Sequence, residues 1–167
     1  VPTPCILNDK KIQTPDISSV LKAAEQISKV IKPNNLIIIE STCPVGSTSK
    51  VANLIKAESN IKLSNFFIAY CPERVFPGNI INELKNNDRI VGGLNRKSSQ
   101  LAKEFYSYFC TGNINITNAR TAELSKLTEN AFRDVNIAFS NEISIICDEL
   151  LIDSNELIEL VNCHPRV

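Results

Sequence analysis

The longest uninterrupted pattern in the chain runs from Ala119 to about Leu151. Apolar residues recur there at helical spacing: Leu124, Leu127, Ala131, Val135, Ile137, Ala138, Ile143, Ile145 and Ile146. No proline or glycine breaks the run, so the pattern predicts a single helix of about 30 residues and about 45 Å. A polar seam of Glu123, Lys126, Asn130, Arg133 and Asn141 runs along it. Lys126 and Asn130 are four apart and so share a face. A helix of this length either crosses a domain boundary or packs against a second chain. Its seam reads either as a solvated stripe or as a clamp, an ammonium beside a carboxamide, for an oxyanion.

Shorter elements precede it. Ile17, Val20, Leu21, Ala24, Ile27 and Ile31 mark the buried face of a helix from Asp16 to Val30, with Asp16 as its cap and Pro33-Asn34 as its stop. Val51, Leu54 and Ile55 do the same for a helix to about Ala57, capped by Ser47 or Thr48. Further helices are expected over 80–84, from Asn95 or Ser98 to Phe109, and over 155–162. The run Leu36-Ile-Ile-Ile-Glu40 has the continuous apolar, β-branched character of a strand buried on both faces. Strands also fit 65–70, 89–91 and 115–117, and Gly92-Gly93 reads as a turn. Val1 to Pro15 reads as loop. Strands alternating with helices of this length predict an α/β chain with a largely parallel sheet.

That architecture directs attention to the carboxyl ends of the strands, where open parallel sheets bind ligands. Three such ends carry polar groups: Val1-Pro-Thr-Pro4, Glu40-Ser-Thr42 and Tyr70-Cys-Pro-Glu-Arg74. We expect them to share a site. Glu73 reads as an exposed loop salt bridge or as a carboxylate held in a cleft, able to accept a proton directly or through water. Thr42 suits holding that water. Lys126 and Asn130 suit facing the oxygen of a reacting carbon, and Arg74 suits a fork onto a phosphate or second carboxylate.

Composition narrows the classes. At 167 residues the chain buries one sizeable core, with room for a small appendage. Eighteen basic residues balance eighteen acidic ones, which argues against a broad nucleic-acid footprint. No apolar run reaches the roughly 18 residues of a bilayer span. None of the six cysteines forms a CxxC pair and there is one histidine, His164, so a zinc site is disfavoured. Cys43, Cys71, Cys110 and Cys147 lie in or beside apolar segments and read as small buried residues of a cytoplasmic, reducing compartment. The chain contains neither GxGxxG nor GxxxxGK[ST]. It starts at Val1 without methionine, and Cys163-His-Pro-Arg-Val167 reads as interrupted, so we expect a fragment of a longer polypeptide. These arguments reach a parallel α/β layer joined to a long helix, and no particular reaction.

The motifs go further by resemblance. Val1-Pro-Thr-Pro4, Glu40-Ser-Thr-Cys-Pro-Val-Gly46, Cys71-Pro-Glu-Arg74 and Ala122-Glu-Leu-Ser-Lys-Leu-Thr-Glu-Asn130, continuing to Ile137-Ala-Phe-Ser-Asn-Glu142, resemble the middle of the UDP-sugar 6-dehydrogenases. The resemblance covers essentially the whole chain. Tyr70 to Gly78 and Asn162-Cys-His-Pro-Arg166 are similar to the branch acting on UDP-N-acetyl-D-mannosamine. The resemblance implies the second half of a Rossmann-like NAD-binding domain over 1–117 and a central helical region over 118–167. It implies NAD as cofactor, a UDP-sugar as substrate, a homodimer through the long helix, and neither nucleic acid nor membrane as partner. It implies two successive oxidations at C6. Lys126 and Asn130 would polarise the C6 oxygen, Thr42 would orient water, and Glu73 would handle protons or water at the thioester stage. Val1, Pro2, Thr3 and Thr42 would contact cofactor, and Glu73, Arg74, Lys126 and Asn130 the substrate. The glycine fingerprint would precede Val1, and the nucleophilic cysteine would follow Val167. Readings kept beside it are a UDP-glucose or UDP-N-acetylglucosamine dehydrogenase, a single-step β-hydroxyacid-type dehydrogenase, and a non-enzymatic module that binds through its helix.

Overall fold

The computed structural model describes residues 6–7, 15–75 and 78–165. By its backbone contacts the chain divides into two compact units, Val1–Leu127 and Thr128–Val167.

In the first unit, β3 (Leu36–Ile39), β4 (Phe67–Tyr70), β5 (Arg89–Gly93) and β6 (Ile114–Asn118) form one sheet in that order. Pairing is parallel between β3 and β4 and between β5 and β6, but antiparallel between β4 and β5. The expectation of a largely parallel sheet therefore holds for two of the three pairings. The exception has a local cause. A parallel return needs a crossover that packs on the sheet. The connection from β4 to β5 contains only α3 (Ile80–Asn86), seven residues long and with none of them buried. The chain therefore turns back at the end where β4 stops.

Helices cover the two faces. α1 (Ser18–Ser28) and α2 (Ser47–Ser59) cover one, around Ala24, Val51, Ile55, Phe66, Ile68 and Tyr70. α4 (Arg96–Ser107) covers the other, around Ala69, Cys71, Val91, Ala102 and Tyr106. Asp16 accepts the Ser18 N–H at 2.7 Å at the head of α1, and Asn95 accepts the Ser98 N–H at 2.8 Å at the head of α4. The segment expected to be loop from Val1 to Pro15 contributes an antiparallel pair, β1 (Ile6–Leu7) with β2 (Pro15–Asp16).

The long helix is α5 (Ala119–Leu150), 32 residues without a break. The reversal at β5 decides where it starts. Gly93 pairs with Ala69 on one side and with Asn118 on the other, so β6 ends level with the last residues of β4. α5 sets out from there. Its first turn lies against Gly92, where an added Cβ would sit 2.4 Å from the Asn118 carbonyl oxygen and 2.6 Å from the Ala122 Cβ. Gly92 is thus a strand residue that permits close approach, not the turn expected of Gly92-Gly93.

The second unit holds the rest of α5 and α6 (Ser154–Val161). Leu151 ends α5 in the left-handed conformation, at φ 57°. The Ile152 N–H reaches back to the Cys147 carbonyl at 2.9 Å and the Leu151 N–H to that of Asp148 at 3.4 Å, the paired bonds of a Schellman stop. Asp153 then accepts the Asn155 N–H at 2.8 Å and opens α6. Much of this unit's apolar surface faces solvent, including Phe132, Val135, Ile137, Phe139 and Ile145. No helix among the described residues is long and apolar enough to cross a membrane.

Candidate functional site

β3 and β4 are parallel neighbours, so the segments that follow them lie side by side. The Cys71 N–H donates to the Ile39 carbonyl at 2.9 Å, and the Glu73 N–H donates to that of Glu40 at 3.2 Å. The loop carrying Thr42 and the loop carrying Glu73 are therefore joined backbone to backbone.

The third component is the start of α5. Glu123 is fully buried. Its Oε2 accepts the Gly46 N–H at 2.6 Å, and its Oε1 accepts both the Thr48 N–H and the Thr48 hydroxyl at 2.7 Å. Both oxygens act only as acceptors, the behaviour of a carboxylate. Glu123 thus fills the N-terminus of α2. Ser47 and Thr48 were the expected caps, but the N-cap position is Gly46, at φ 96°. The Ser47 hydroxyl donates instead to the Pro44 carbonyl at 2.6 Å, tightening the loop. A helix N-terminus is ordinarily open to anions. This one is already satisfied from within the chain.

Beneath the same strand ends, on the opposite face, lies a second buried polar group. The Tyr106 hydroxyl donates to Glu40 Oε1 at 2.5 Å. Burial, the adjacent Cys71 and Glu40 push that hydroxyl far above its ordinary pKa, which keeps it a donor. The Arg89 guanidinium stacks on the Tyr106 ring at 4.4 Å, donates to the Leu84 carbonyl at 3.1 Å and approaches the Cys71 sulfur at 4.0 Å. Burial raises the Cys71 thiol, against the opposing pull of Tyr106 and Arg89. This cluster pins the start of the Glu73 loop from below. The Tyr70 hydroxyl is buried on the α2 side and is likewise pushed upward, by burial and then by Cys43.

The residues singled out from the sequence fall as follows. Thr42 is half-buried. Glu73 is exposed, and its carboxylate accepts the Val75 N–H, so it braces its own loop rather than lying in an enclosed cleft. Arg74 is exposed and donates to the Asp88 carbonyl at 3.2 Å. Lys126 is half-buried, one turn along α5 from Glu123, and Asn130 is exposed one turn further. Val1, Pro2 and Thr3 lie outside the described residues. Within the first unit the structure brings together the Thr42 loop, the Glu73 loop and the turn of α5 before Lys126. Cys43, Cys71, Cys110 and Cys147 are buried, and none of them is in a disulfide. Among the described residues no group of three or more His, Cys, Asp or Glu is arranged to hold a metal.

Glu123, Tyr106 and Arg89 were not among the expected site residues. In the sequence Glu123 is only one member of the polar seam. The available signal was its place beside Ala119 and Ala122, which put an acid on the buried side of the helix's first turns.

Comparison with known proteins gives a consistent result. Residues 1–110 match the NAD binding domain of the UDP-glucose/GDP-mannose dehydrogenase family, and residues 120–167 match that family's central domain. The chain is 46% identical to an NDP-N-acetyl-D-galactosaminuronic acid dehydrogenase of Ralstonia nicotianae, with 100% of this chain and 40% of that protein covered. It is 48% identical to a UDP-N-acetyl-D-mannosamine dehydrogenase of Campylobacter jejuni, covering 92% of this chain and 40% of that one. The solved structure of the UDP-D-ManNAc dehydrogenase from Pyrococcus horikoshii superposes with a TM-score of 0.88 at 44% identity, over 92% of this chain and 37% of that chain. The chain thus spans about 40% of the length of these curated relatives.

Proposed function

The chain belongs to the UDP-glucose/GDP-mannose dehydrogenase family, and from that membership we propose that it is the middle part of an NAD-dependent UDP-sugar 6-dehydrogenase. The substrate in this reading is UDP-N-acetyl-D-mannosamine, oxidised at C6 to the carboxylate in two successive steps. The observation that carries it is the agreement of sequence and fold. The NAD binding match covers β3, β4 and β5 with the helices packed on them, and the central-domain match covers all but the first residue of α5 and the whole of α6. The reading assigns residues 1–117 to the later part of the cofactor domain and 118–167 to the central region.

The residues present fit one side of a dinucleotide crevice. Parallel β3 and β4 end together there, as such crevices require. The N-terminus of α2 is closed by Glu123 and is not a phosphate cradle. The chemistry supplied by bound NAD would be acceptance of the hydride from C6. In this reading Val1, Pro2, Thr3 and Thr42 contact the cofactor. Lys126 and Asn130 hold the C6 oxygen as it gains negative charge, which lowers the barrier more than it strengthens ground-state binding. Thr42 orients water, Glu73 accepts and returns protons, and Arg74 steadies the substrate. The Val75 N–H engages only one of the two carboxylate oxygens, and the exposed position of Glu73 leaves the other for that role.

The proposal extends to a homodimer through the long helix, supported by exposed apolar residues such as Phe132 and Val135. It also extends to a cytoplasmic location, supported by buried cysteines that form no disulfide.

Lys126→Met in the intact enzyme tests the catalytic part. The apolar stem is kept and the ammonium is lost. Single-turnover NADH formation should fall about 10²–10³-fold, with substrate affinity little changed. Near-normal turnover in a folded variant would return Lys126 to a surface role. Sedimentation of the intact enzyme as a monomer at micromolar concentration would remove the dimer.

A further inference from the structure

We infer that Glu123 is a positioning residue of the oxidation site. It holds the Thr42 loop in register with the turn of α5 that carries Lys126. The inference rests on the reading of Thr42 and Lys126 given above.

A hydroxyl or carboxylate at the N-cap supplies an acceptor locally, with little burial. Two hydroxyls, Ser47 and Thr48, stand at the head of α2, yet neither caps it. The Ser47 hydroxyl is spent on the Pro44 carbonyl and that of Thr48 on Glu123. The acceptor comes instead from a carboxylate 75 residues away in sequence and shielded fully from water. Burying a carboxylate is costly unless all its oxygens are engaged, and its best-attested use is to fix register between elements. Here both oxygens are engaged, and the elements fixed are those carrying the proposed chemistry. Gly46 closes the segment that begins at Thr42, and its left-handed backbone sets the direction in which that segment enters α2. Lys126 lies one turn beyond Glu123 on the same unbroken helix. One side chain therefore fixes the Thr42 loop and the lysine's helix to each other, without lying at the reacting carbon.

Glu123→Gln is the informative change. The carboxamide keeps the shape but replaces one acceptor with a donor, which then faces the Gly46 or the Thr48 N–H. The experiment uses the intact enzyme with UDP-N-acetyl-D-mannosamine and NAD. It compares Glu123→Gln, Thr42→Ala and the double variant by kcat and KM, with a thermal melt of each. We expect Glu123→Gln to lower kcat about 10–100-fold while KM for the sugar stays within about threefold, as a small misplacement of a catalytic group does. We also expect the double variant to lie within about threefold of the poorer single variant, because both changes disable one unit. Multiplying losses in the double variant, with Thr42→Ala impaired, would overturn the positioning role and leave the reading of Thr42 standing. A neutral Thr42→Ala would overturn both. Unchanged kcat in a folded Glu123→Gln would overturn the positioning role alone. If Glu123→Gln does not fold, Thr48→Val removes one of the three bonds at constant volume. Its coupling to Thr42→Ala then decides the matter by the same criterion.

Discussion

Gly92→Ala adds one methyl group and is expected to be among the most damaging single-carbon changes in the first unit. Gly92 has ordinary extended backbone, since only Gly46 and Gly78 among the described glycines have positive φ. Backbone strain therefore plays no part, and alanine would by itself restrict the unfolded chain and add about 0.4–1 kcal/mol of stability. Packing opposes this. The new Cβ would lie 2.4 Å from the Asn118 carbonyl oxygen, 2.7 Å from its carbon and 2.6 Å from the Ala122 Cβ. Comfortable carbon contacts are about 3.5–4.0 Å, so roughly 1 Å must be found. No flexible side-chain end can move aside, because each of these neighbours is backbone or the Cβ of an alanine in a helix. Either β6 parts from β5 or the first turn of α5 lifts. Overpacking of this kind costs about 1–3 kcal/mol. A 1 Å lift would also stretch the three bonds of Glu123, each now 2.6–2.7 Å, beyond useful length. Losing one charge-assisted buried bond costs about 1.5–3 kcal/mol. After the favourable chain term, the net loss should be about 1.5–5.5 kcal/mol. Urea unfolding of the intact protein measures it, with Gly78→Ala as a control. Gly78 has φ 106° and nothing within 4 Å of an added Cβ, so only backbone strain of about 1–2 kcal/mol applies there. A Gly92→Ala protein no less stable than Gly78→Ala would refute the close-approach argument.

Two further outcomes are expected. Leu151→Gly should raise stability by about 0.5–1 kcal/mol, because it relieves a left-handed leucine at 95% exposure while keeping the Schellman bonds; a lower unfolding midpoint would contradict it. Cys71 has its pKa raised from 9.0 by burial, so the folded state holds this proton longer than the unfolded chain does. Its contribution is complete below pH 9 and is lost as pH rises through the folded value, at a slope approaching about 1.4 kcal/mol per pH unit. Cys71→Ala should flatten the decline in urea midpoint between pH 9 and 10, before Tyr70 and Tyr106 titrate, and parallel curves for the two proteins would refute the assignment.

The elements were largely legible because their signals are local. The apolar period over α5 predicts an end near Leu151 and the helix ends at Leu150. The β-branched run 36–39 is a strand with α1 and α2 around it. What stayed hidden depends on where distant segments meet. The direction of β5 follows from the failure of α3 to cross the sheet, and nothing within 89–93 announces it. The acceptor at the head of α2 is not one of the adjacent hydroxyls, where capping groups ordinarily lie, but Glu123. Gly92-Gly93 has the composition of a turn, and only the later arrival of Ala122 makes the first glycine necessary. The adjacency of the Thr42 and Glu73 loops was legible, since it follows from two parallel strands being neighbours. The exposure of Glu73 was one of its two readings, whereas its bond to Val75 was not legible.

The bond from Glu123 to Thr48 spans 75 residues, and this has a consequence during synthesis. A ribosome adds about 5–20 residues per second, so the head of α2 emerges roughly 4–15 s before the carboxylate that completes it. Helices and hairpins form within microseconds. Once Tyr70 has followed, β3, β4 and α2 can form while Gly46 and Thr48 still hydrogen-bond to water. The nascent chain therefore passes through a stage in which its helices exist but the Thr42 loop is not yet set. Slowing translation of the stretch from Asn60 to Glu123 would lengthen that window.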